Sequence, residues 1–298
     1  MQKPHWHVLG AGAIGCLFAQ GLHRSGSTTT LVMRRGVTVR SLPVVVEHDG
    51  QRCEQHLPVI TPDDTAEISH LLITTKAYDV HSAVSGIAKL LSDNCVVLLL
   101  VNGLGLAEKL RADYPHLDVF CGTTTEGAYQ LSAQHIQHAG RGETRVGRAG
   151  QDTPPAWFEG FARATDACVW DSDIDSALWS KLAVNCIINP LTAVSGCRNG
   201  ELARSSELSA QVEALCSEVA DISRAAGFDN IAEKLRPAVS AVIAGTADNR
   251  SSMLQDIERG RQTEIDYITG YLLKIAEQHG IQAPKNRSLL ERIRNRAP

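Results

Sequence analysis

The sequence has no uninterrupted apolar run long enough to cross a bilayer. A membrane-spanning helix needs about 20 consecutive apolar residues, whereas the longest such run here is Cys95–Val101. A run of this length is typical of a strand that is buried on both faces of a parallel sheet. The chain also begins too close to its first predicted strand for a signal peptide to precede it. We therefore expect a cytoplasmic protein without a membrane partner.

The eight cysteines form no C-x-x-C pair and no other ligand-like spacing. Scattered cysteines of this kind predict free, mostly buried thiols in a reducing compartment rather than a disulfide framework. The eleven histidines form no metal-binding pattern either. The closest pairs, His5 with His7 and His135 with His138, are interpreted as strand or loop residues. The sequence therefore predicts no metal site.

The sequence also lacks a basic excess. Its 29 Lys and Arg residues against 33 Asp and Glu residues give a formal net charge of −4, which argues against nucleic acid as a partner. It has no internal repeat, low-complexity tract or flexible Gly/Ser linker. With 298 residues, of which 43% are hydrophobic, the chain can build two domains that each have a core.

The most informative stretch that is present is residues 7–15, His-Val-Leu-Gly-Ala-Gly-Ala-Ile-Gly. An apolar strand runs there into Gly10, Gly12 and Gly15 and then into a helix, which matches the dinucleotide fingerprint G-x-G-x-x-G. The first glycine permits the tight turn, the second lets a pyrophosphate approach the backbone, and the third lets the helix pack on the strand. A plain structural turn is the alternative, but the strand–turn–helix context favours cofactor binding. The predicted cofactor-contacting residues are Gly10, Ala11, Gly12, Ala13, Ile14 and Gly15.

The end of the second predicted strand, Thr28–Met33, indicates which cofactor binds. An NAD enzyme places Asp or Glu about twenty residues beyond the glycines to hold the ribose hydroxyls. This chain has Arg34 and Arg35 there instead. A guanidinium pairs with a 2′-phosphate, so the sequence favours NADP(H) over NAD(H), with two solvated surface arginines as the alternative. Which of the two arginines takes the phosphate is left open by the residues alone.

Further strands alternate with helices along the first half of the chain. Leu71–Thr75 reads as an apolar strand that ends at Lys76, and Cys95–Val101 reads as a strand that ends at Asn102-Gly103-Leu104-Gly105. Ligand-binding loops of open α/β sheets follow strands in this way. Residues 135–148 read as a hairpin turning at Gly140-Arg141-Gly142. We therefore predict an α/β protein whose N-terminal domain, residues 1–171, is a Rossmann-like, doubly wound, mainly parallel sheet that binds NADP(H).

Strand signals stop at Ile174, so residues 172–298 are predicted to form an all-helical substrate and catalytic domain. Lys181, Asn185 and Asn189 are spaced i, i+4, i+8 and share one face of a helix. An ordinary solvated stripe would give the same spacing, but asparagine is a poor helix former. A second set at four-residue steps is Ser252, Asp256, Gly260 and Glu264. Gly260 can interrupt that helix, and a charged exterior is the ordinary explanation for the set.

Taken together, these stretches resemble the ketopantoate reductase family, the 2-dehydropantoate 2-reductases, over nearly the whole chain. In the first half the matching segments are Leu9–Gly15, Leu72–Ala77, Val101–Gly105 and His138–Gly142. In the second half they are Trp179–Pro190, Arg198–Leu202, Ser251–Asp256 and Gly260–Asp266. The Lys…Asn…Asn-Pro and Ser-Ser-Met…Asp…Thr-Glu-Ile-Asp patterns are far more specific than the glycine turn.

The resemblance implies NADPH-dependent reduction of 2-dehydropantoate to (R)-pantoate, a step toward pantothenate and coenzyme A. Carried over by position, it implies Lys181 as the catalytic general acid and Glu264 as its acidic partner. The implied substrate-binding residues are Asn185, Asn189 and Ser252, with Asn199 and Asp256 in support. The implied cofactor-binding residues outside the glycine turn are Arg34, Lys76 and Asn102, the last of which lies where cofactor and substrate meet.

Two other functions fit the same sequence. One is a related NADP-dependent reductase of another small 2-oxo acid, and the other is a non-catalytic NADPH-binding regulatory protein. The presence of Lys181 and Glu264 within their motifs favours an enzyme. The sequence leaves the choice between a monomer and a homodimer open.

Overall fold

The computed structural model of the protein describes residues 4–296, and the chain divides into two compact units. The first unit takes the residues up to Val101 together with Leu106–Asp175. The second takes Asn102–Gly105 and the chain from Ser176 onward. The division follows Asp175, whereas the sequence had suggested a boundary after residue 171. The short segment Asn102–Gly105 belongs to the helical unit, and no local pattern predicts this assignment.

In the first unit an α-helix follows each of β1, β5 and β6, whereas β2 to β5 succeed one another without a helix, and further strands and one short helix come after β7. Its elements in chain order are β1 (His5–Leu9), α1 (Ala13–Arg24), β2 (Thr28–Val32), β3 (Ser41–His48), β4 (Gln51–Ile60), β5 (Ile68–Ile73), α2 (Val80–Ile87), β6 (Leu91–Leu99), α3 (Leu106–Asp113), β7 (Asp118–Thr124), β8 (Gly127–Ser132), β9 (His135–Gly140), β10 (Thr144–Gly147), α4 (Phe158–Ala162) and β11 (Cys168–Trp170). Short 3-10 helices flank α2 at Ala77–Asp79 and Ala88–Leu90.

Within the described residues, the eleven strands form one sheet in the order β11-β10-β7-β6-β5-β1-β2-β4-β3-β9-β8. β1 is parallel to β2 on one side and to β5 on the other, and β5, β6 and β7 continue in parallel. The predicted doubly wound, mainly parallel sheet is therefore confirmed. Because the chain runs from β1 to β2 and later returns to the opposite side at β5, the carboxyl end of β1 lies at a topological switch point. Open α/β sheets bind their ligands at such points.

The central strands are covered on both faces. Leu71, Leu72 and Ile73 are consecutive in β5 and are each 0% exposed. Consecutive strand residues point to opposite faces of a sheet, so full burial of all three means that packing covers both. Trp6 of β1 is also fully buried and packs against the ring of Phe161 in α4. The sheet is thus a rigid support for the loops at its edges.

The predicted hairpin at Gly140–Gly142 is wrong. β9 pairs with β3 and β8, and β10 pairs with β7 and β11, so the two strands on either side of these glycines are not neighbours. A side chain on Gly142 would overlap the backbone of Thr125. The glycine is needed because the chain passes directly over another segment of backbone on its way between distant strands, and not because it turns tightly.

The second unit contains helices and connecting loops, and no strand among its described residues. Its helices are α5 (Ile174–Ser195, which begins just before the division), α6 (Glu201–Arg204), α7 (Ser206–Ala225), α8 (Asp229–Gly245), α9 (Ser252–Glu258), α10 (Ile265–Gln278) and α11 (Pro284–Arg294). Among residues 4–296, α5 is the one helix that is long and apolar enough to cross a membrane by length and composition. However, 67% of its most apolar window is buried inside the protein, so α5 is accounted for as the core helix of this unit.

Candidate functional site

The glycine turn between β1 and α1 packs tightly against the end of β5. Gly10 has a φ of +111°, and a Cβ atom there would lie 2.6 Å from the backbone nitrogen of Thr75. A Cβ atom on Gly15 would overlap the carbonyl oxygen of Gly10 and would lie 2.5 Å from Oγ1 of Thr74. That hydroxyl donates a hydrogen bond to the Gly10 carbonyl at 2.8 Å. The internal structure therefore requires glycine at positions 10 and 15.

Gly12 is different, because nothing inside the protein requires a glycine there. Its φ is −82°, and a Cβ atom would find no other atom within 4 Å. Gly12 is the N-cap residue of α1, and the first turn of that helix contains no acidic residue. A glycine with open space beside a helix N-terminus is what close approach of a pyrophosphate to the backbone requires. The flanking residues Ala11, Ala13 and Ile14 are partly exposed, so this turn fits a dinucleotide.

The predicted adenosine-binding residues follow the two strands on either side of β1. The Arg34 side chain is 91% exposed, and its Nη2 atom lies 3.6 Å from Oδ2 of Asp79. The Nε atom of Arg35 lies 3.5 Å from Oδ1 of Asp63. Lys76 is partly exposed and directly precedes the 3-10 helix that contains Asp79. Arg34 and Lys76 thus occupy the carboxyl-end edge of the sheet in the first unit.

The three polar residues predicted on one helix face lie on α5, which is continuous from Ile174 to Ser195. Lys181 and Asn185 are partly exposed, and Asn189 is 8% exposed. Burial lowers the pKa of Lys181 to about 8, while the negative charge of Glu264 acts in the opposite direction. An ammonium group with a pKa near neutrality is suited to donating a proton.

Glu264 is 5% exposed and directly precedes α10. Its Oε2 atom accepts a hydrogen bond from Nδ2 of Asn102 at 3.2 Å, across 162 positions of sequence. The backbone nitrogen of Leu104 donates to the carbonyl oxygen of Tyr267 at 3.1 Å, and a Cβ atom on Gly103 would lie 2.6 Å from the Cβ atom of Tyr267. This close approach of residues 102–104 to the start of α10 brings Asn102 to Glu264.

The second predicted set does not form one helix face. α9 ends at Glu258, and Glu264 occupies the N-cap position of the next helix, α10. Gly260 lies in the intervening turn, so the expected interruption at this glycine is confirmed. Ser252 is exposed as the first residue of α9, whereas Asp256 is 5% exposed.

Asn199 lies between α5 and α6 and is 6% exposed. Its backbone nitrogen donates to the carbonyl oxygen of Asn249 at 3.0 Å, and its Nδ2 atom donates to Oγ1 of Thr246 at 2.8 Å. Its Oδ1 atom finds no hydrogen-bond partner among the described residues. A buried acceptor without a donor costs free energy, so Oδ1 of Asn199 is a cost that the hydrogen bonds of its backbone nitrogen and Nδ2 atom offset.

Sequence reasoning assigned Ser252 but overlooked Ser251 and Thr192. Ser251 is the N-cap residue of α9, and its Oγ atom accepts a hydrogen bond from the backbone nitrogen of Leu254 at 3.1 Å. The same Oγ atom lies 2.8 Å from Oγ1 of Thr192 on α5. A serine three residues before a helical amide is a recognisable capping signal, whereas the link to Thr192 has no local signature.

A metal centre is not indicated in the part of the chain that the structure describes, where no three His, Cys, Asp or Glu side chains are grouped to hold an ion. The histidines of β9 have other partners there. His138 Nε2 lies 2.7 Å from Oε2 of Glu126, and His135 Nε2 lies 2.8 Å from Oε1 of Glu47.

Comparison with known proteins places both units in one family. The family model described as Ketopantoate reductase PanE/ApbA matches residues 6–151, and its counterpart for the C-terminal part matches residues 173–297. The chain is 37% identical to the 2-dehydropantoate 2-reductase of Vibrio cholerae over 289 residues, which are 96% of each chain.

Solved structures agree with this result. A ketopantoate reductase of the PanE/ApbA family from Ralstonia eutropha superposes with a TM-score of 0.85 at 25% identity and covers 98% of both chains. D-mandelate dehydrogenase in a ternary structure with NADH and anilino(oxo)acetate superposes with a TM-score of 0.88 at 22% identity, over 98% of this chain and 97% of that one. At that identity the second likeness concerns the fold alone.

Replacing single glycines separates the structural and ligand-binding roles of the turn. Gly12→Ala should leave thermal unfolding unchanged but weaken NADPH binding by about tenfold or more, equivalent to about 1.4 kcal/mol, because the new methyl group stands where the pyrophosphate approaches. Gly15→Ala should lower the melting temperature, since overpacking costs about 1–3 kcal/mol. Thermal unfolding without ligand and fluorescence titration with NADPH measure the two effects.

Gly86→Ala is the matched control, because a Cβ atom at this glycine of α2 also meets nothing within 4 Å. It should leave NADPH binding unchanged and should not lower the melting temperature, because alanine is a better helix former than glycine. Wild-type NADPH affinity in Gly12→Ala would show that the open space at Gly12 does not serve a dinucleotide.

Proposed function

The chain belongs to the ketopantoate reductase family, and from that premise we propose that it reduces 2-dehydropantoate to (R)-pantoate with NADPH in the cytoplasm. The observation that carries the proposal is the pairing of Lys181, whose pKa burial lowers to about 8, with the buried carboxylate of Glu264. Neutral amides at Asn185 and Asn189 share the helix that carries this lysine. An acid of suitable pKa beside groups that bind hydroxyls matches the reduction of a hydroxylated 2-oxo acid.

The cofactor proposal rests on the first unit. We propose that the turn from Gly10 to Gly15 holds the pyrophosphate, that Arg34 pairs with the 2′-phosphate and that Lys76 supports the adenosine end, with Asn102 beside the reactive end. NADPH, when bound, supplies the hydride that reduces the C2 ketone. Everything else in the reaction is contributed by side chains of this chain.

Lys181 acts on the carbonyl oxygen. Negative charge develops on that oxygen as the ketone is reduced, and the Lys181 ammonium stabilises it by a hydrogen bond before delivering the proton. Because this interaction is stronger in the transition state than with the neutral ketone, it accelerates the reaction rather than only binding the substrate. Glu264 keeps the ammonium protonated, since its charge raises the pKa that burial lowers. Asn102 holds Oε2 of Glu264 in place by donating to it.

The substrate itself is held by neutral groups. Asn185 and Asn189 offer both donors and acceptors to the hydroxyl of 2-dehydropantoate. Asn199 supports this part of the site indirectly, because its backbone nitrogen and Nδ2 atom donate to Asn249 and Thr246 in the segment before α9. The exposed Ser252 hydroxyl donates to the substrate carboxylate, and the buried Asp256 supports the turn of α9 on which Ser252 lies.

The direct test is consumption of NADPH by the purified protein with 2-dehydropantoate, pyruvate and 2-oxoisovalerate, followed by absorbance. We expect strong preference for 2-dehydropantoate, and we expect Lys181→Ala to lose most turnover while binding NADPH normally. Preference for another acid would identify a related reductase of that acid. NADPH binding without turnover of any of the three would identify a non-catalytic cofactor-binding protein and overturn the proposal.

The pH dependence tests the role of Glu264. The protonated form of Lys181 exists below its pKa of about 8, so turnover should fall as the pH rises through that value. Glu264→Gln removes the charge that raises this pKa and should move the alkaline limb of the kcat profile to lower pH. Glu258→Gln is the matched control, because Glu258 pairs with Arg250 on the surface and should leave the limb unmoved. An alkaline limb at the wild-type pH in Glu264→Gln would contradict the interaction of Glu264 with Lys181.

Cofactor choice is tested at the two arginines. Arg34→Ala should weaken NADPH binding by about 10- to 100-fold, because hydrogen bonds to charged groups contribute about 1.5–3 kcal/mol, and should leave NADH binding within about twofold. Arg35→Ala is the matched control for which of the two guanidinium groups takes the phosphate. Equal weakening of NADPH binding and NADH binding in Arg34→Ala would show that Arg34 does not bind the 2′-phosphate.

A further inference from the structure

Thr192 and Ser251 form a buried hydroxyl pair in the second unit. Thr192 is 0% exposed and Ser251 is 6% exposed. Oγ1 of Thr192 lies 2.8 Å from Oγ of Ser251 and 2.7 Å from the carbonyl oxygen of Ile188. Because Ser251 also accepts the backbone amide of Leu254, the pair joins the backbone of α5 to the first turn of α9.

The pair lies between two of the residues that the proposed function assigns to substrate. Thr192 follows Asn189 by three positions on α5, which is just under one helical turn. Ser251 directly precedes Ser252. This hydrogen bond therefore links the part of α5 that carries Asn189 to the residue that directly precedes Ser252.

The segment that leads into α9 is fixed at its other end as well. The backbone nitrogen of Gly200 donates to the carbonyl oxygen of Ala247 at 2.9 Å, and that of Asn199 donates to Asn249 at 3.0 Å. Residues 246–250 are thus held by the loop after α5, and Ser251 is held by α5 itself. The hydroxyl pair is the contact nearest to Ser252 in this series.

The chemistry of the pair points to positioning rather than to stability. The residues around it are apolar and buried, among them Leu191, Ala193 and Leu254, so a valine at position 192 would fill the same volume. Replacing a hydrogen-bonded buried pair by apolar groups of the same shape can be nearly neutral for stability. What only the hydroxyls supply is a directional contact of fixed length.

We infer that Thr192 and Ser251 are positioning residues that hold Ser252 at the correct distance from Asn189 and so set the affinity for the 2-oxo acid. This inference rests on the proposed function. Lys181 precedes Thr192 by eleven positions on α5, about 16 Å along the helix axis at 1.5 Å per residue. The pair should therefore act on substrate binding and leave the proton-donating step unchanged.

Thr192→Val removes the hydroxyl at nearly constant volume. We expect it to raise KM for 2-dehydropantoate by about tenfold, as loss of one buried hydrogen bond allows, with kcat and the KM for NADPH within about twofold of wild type. Thr192→Ser keeps the hydroxyl and should restore a KM close to that of wild type. Thr269→Val is the matched control, because Thr269 of α10 is also 0% exposed and is not a member of the pair.

The coupling between the two hydroxyls is tested with Ser251→Ala and the double variant. If the pair acts as one unit, Thr192→Val should raise KM little further in a chain that already carries Ser251→Ala. Independent, additive effects on KM would overturn the pairing. An unchanged KM in Thr192→Val would overturn the positioning role. So would a rise in KM that is matched by an equal fall in kcat and accompanied by a lowered melting temperature.

Two measurements without turnover keep this test separate from that of the proposed function. Hydrogen exchange of the Leu254 amide should be faster in Thr192→Val if the pair holds the first turn of α9. Calorimetric titration with 2-dehydropantoate should show weaker binding in the same variant. Faster exchange with unchanged affinity would overturn the inference alone, whereas absence of 2-dehydropantoate binding to the wild type would overturn the proposed function and the inference with it.

Discussion

The electrostatic interaction of Lys181 with Glu264 is the constraint on which the proposed chemistry of the second unit depends. Removing an ammonium group from water favours its neutral form, and here burial lowers the pKa of Lys181 to about 8. A neighbouring carboxylate opposes that loss, because an opposite charge favours the protonated state. Breaking such a pair leaves one charge buried without compensation. The approach of residues 102–104 to the start of α10, and the hydrogen bond from Asn102 to Glu264, therefore hold in place the group that keeps the lysine charged.

The glycine turn shows how packing distinguishes a structural residue from one kept for a ligand. Gly10 and Gly15 are explained by the backbone of the protein itself, since side chains there would strike β5 or the turn. Gly12 lies between them with open space around its α-carbon. The fingerprint has glycine at all three positions, and only the structure distinguishes a glycine that internal packing requires from one that leaves space for a ligand. A ligand is the reason that we propose at Gly12, because neither the φ angle nor a neighbour requires glycine there.

The features that the sequence predicted are those with a local cause. Apolar runs and the glycine spacing indicated the central parallel strands, and the i, i+4, i+8 spacing placed Lys181, Asn185 and Asn189 on one continuous helix. The failures are all non-local. The glycines at 140–142 were read as a tight turn because nothing nearby in sequence shows that Gly142 crosses the backbone of Thr125. Asn102 and Glu264 are 162 positions apart, and no periodicity relates them. Thr192 and Ser251 likewise meet only because α9 packs on α5.

The division between charged and neutral groups in the second unit has a chemical consequence. The charge that acts on the Lys181 pKa is that of Glu264, while the residues proposed to hold the substrate hydroxyl and carboxylate are amides and a hydroxyl. Neutral groups bind by direction and distance and contribute only dipole fields, which fall off faster than the field of a full charge. Substrate preference can therefore change through residues such as Asn185, Asn189 and Ser252 without changing the protonation state of the proposed general acid. The proposed catalytic pair is in that way compatible with different 2-oxo acids, and the choice among them would depend on the positions of neutral side chains, which contacts such as that between Thr192 and Ser251 hold in place.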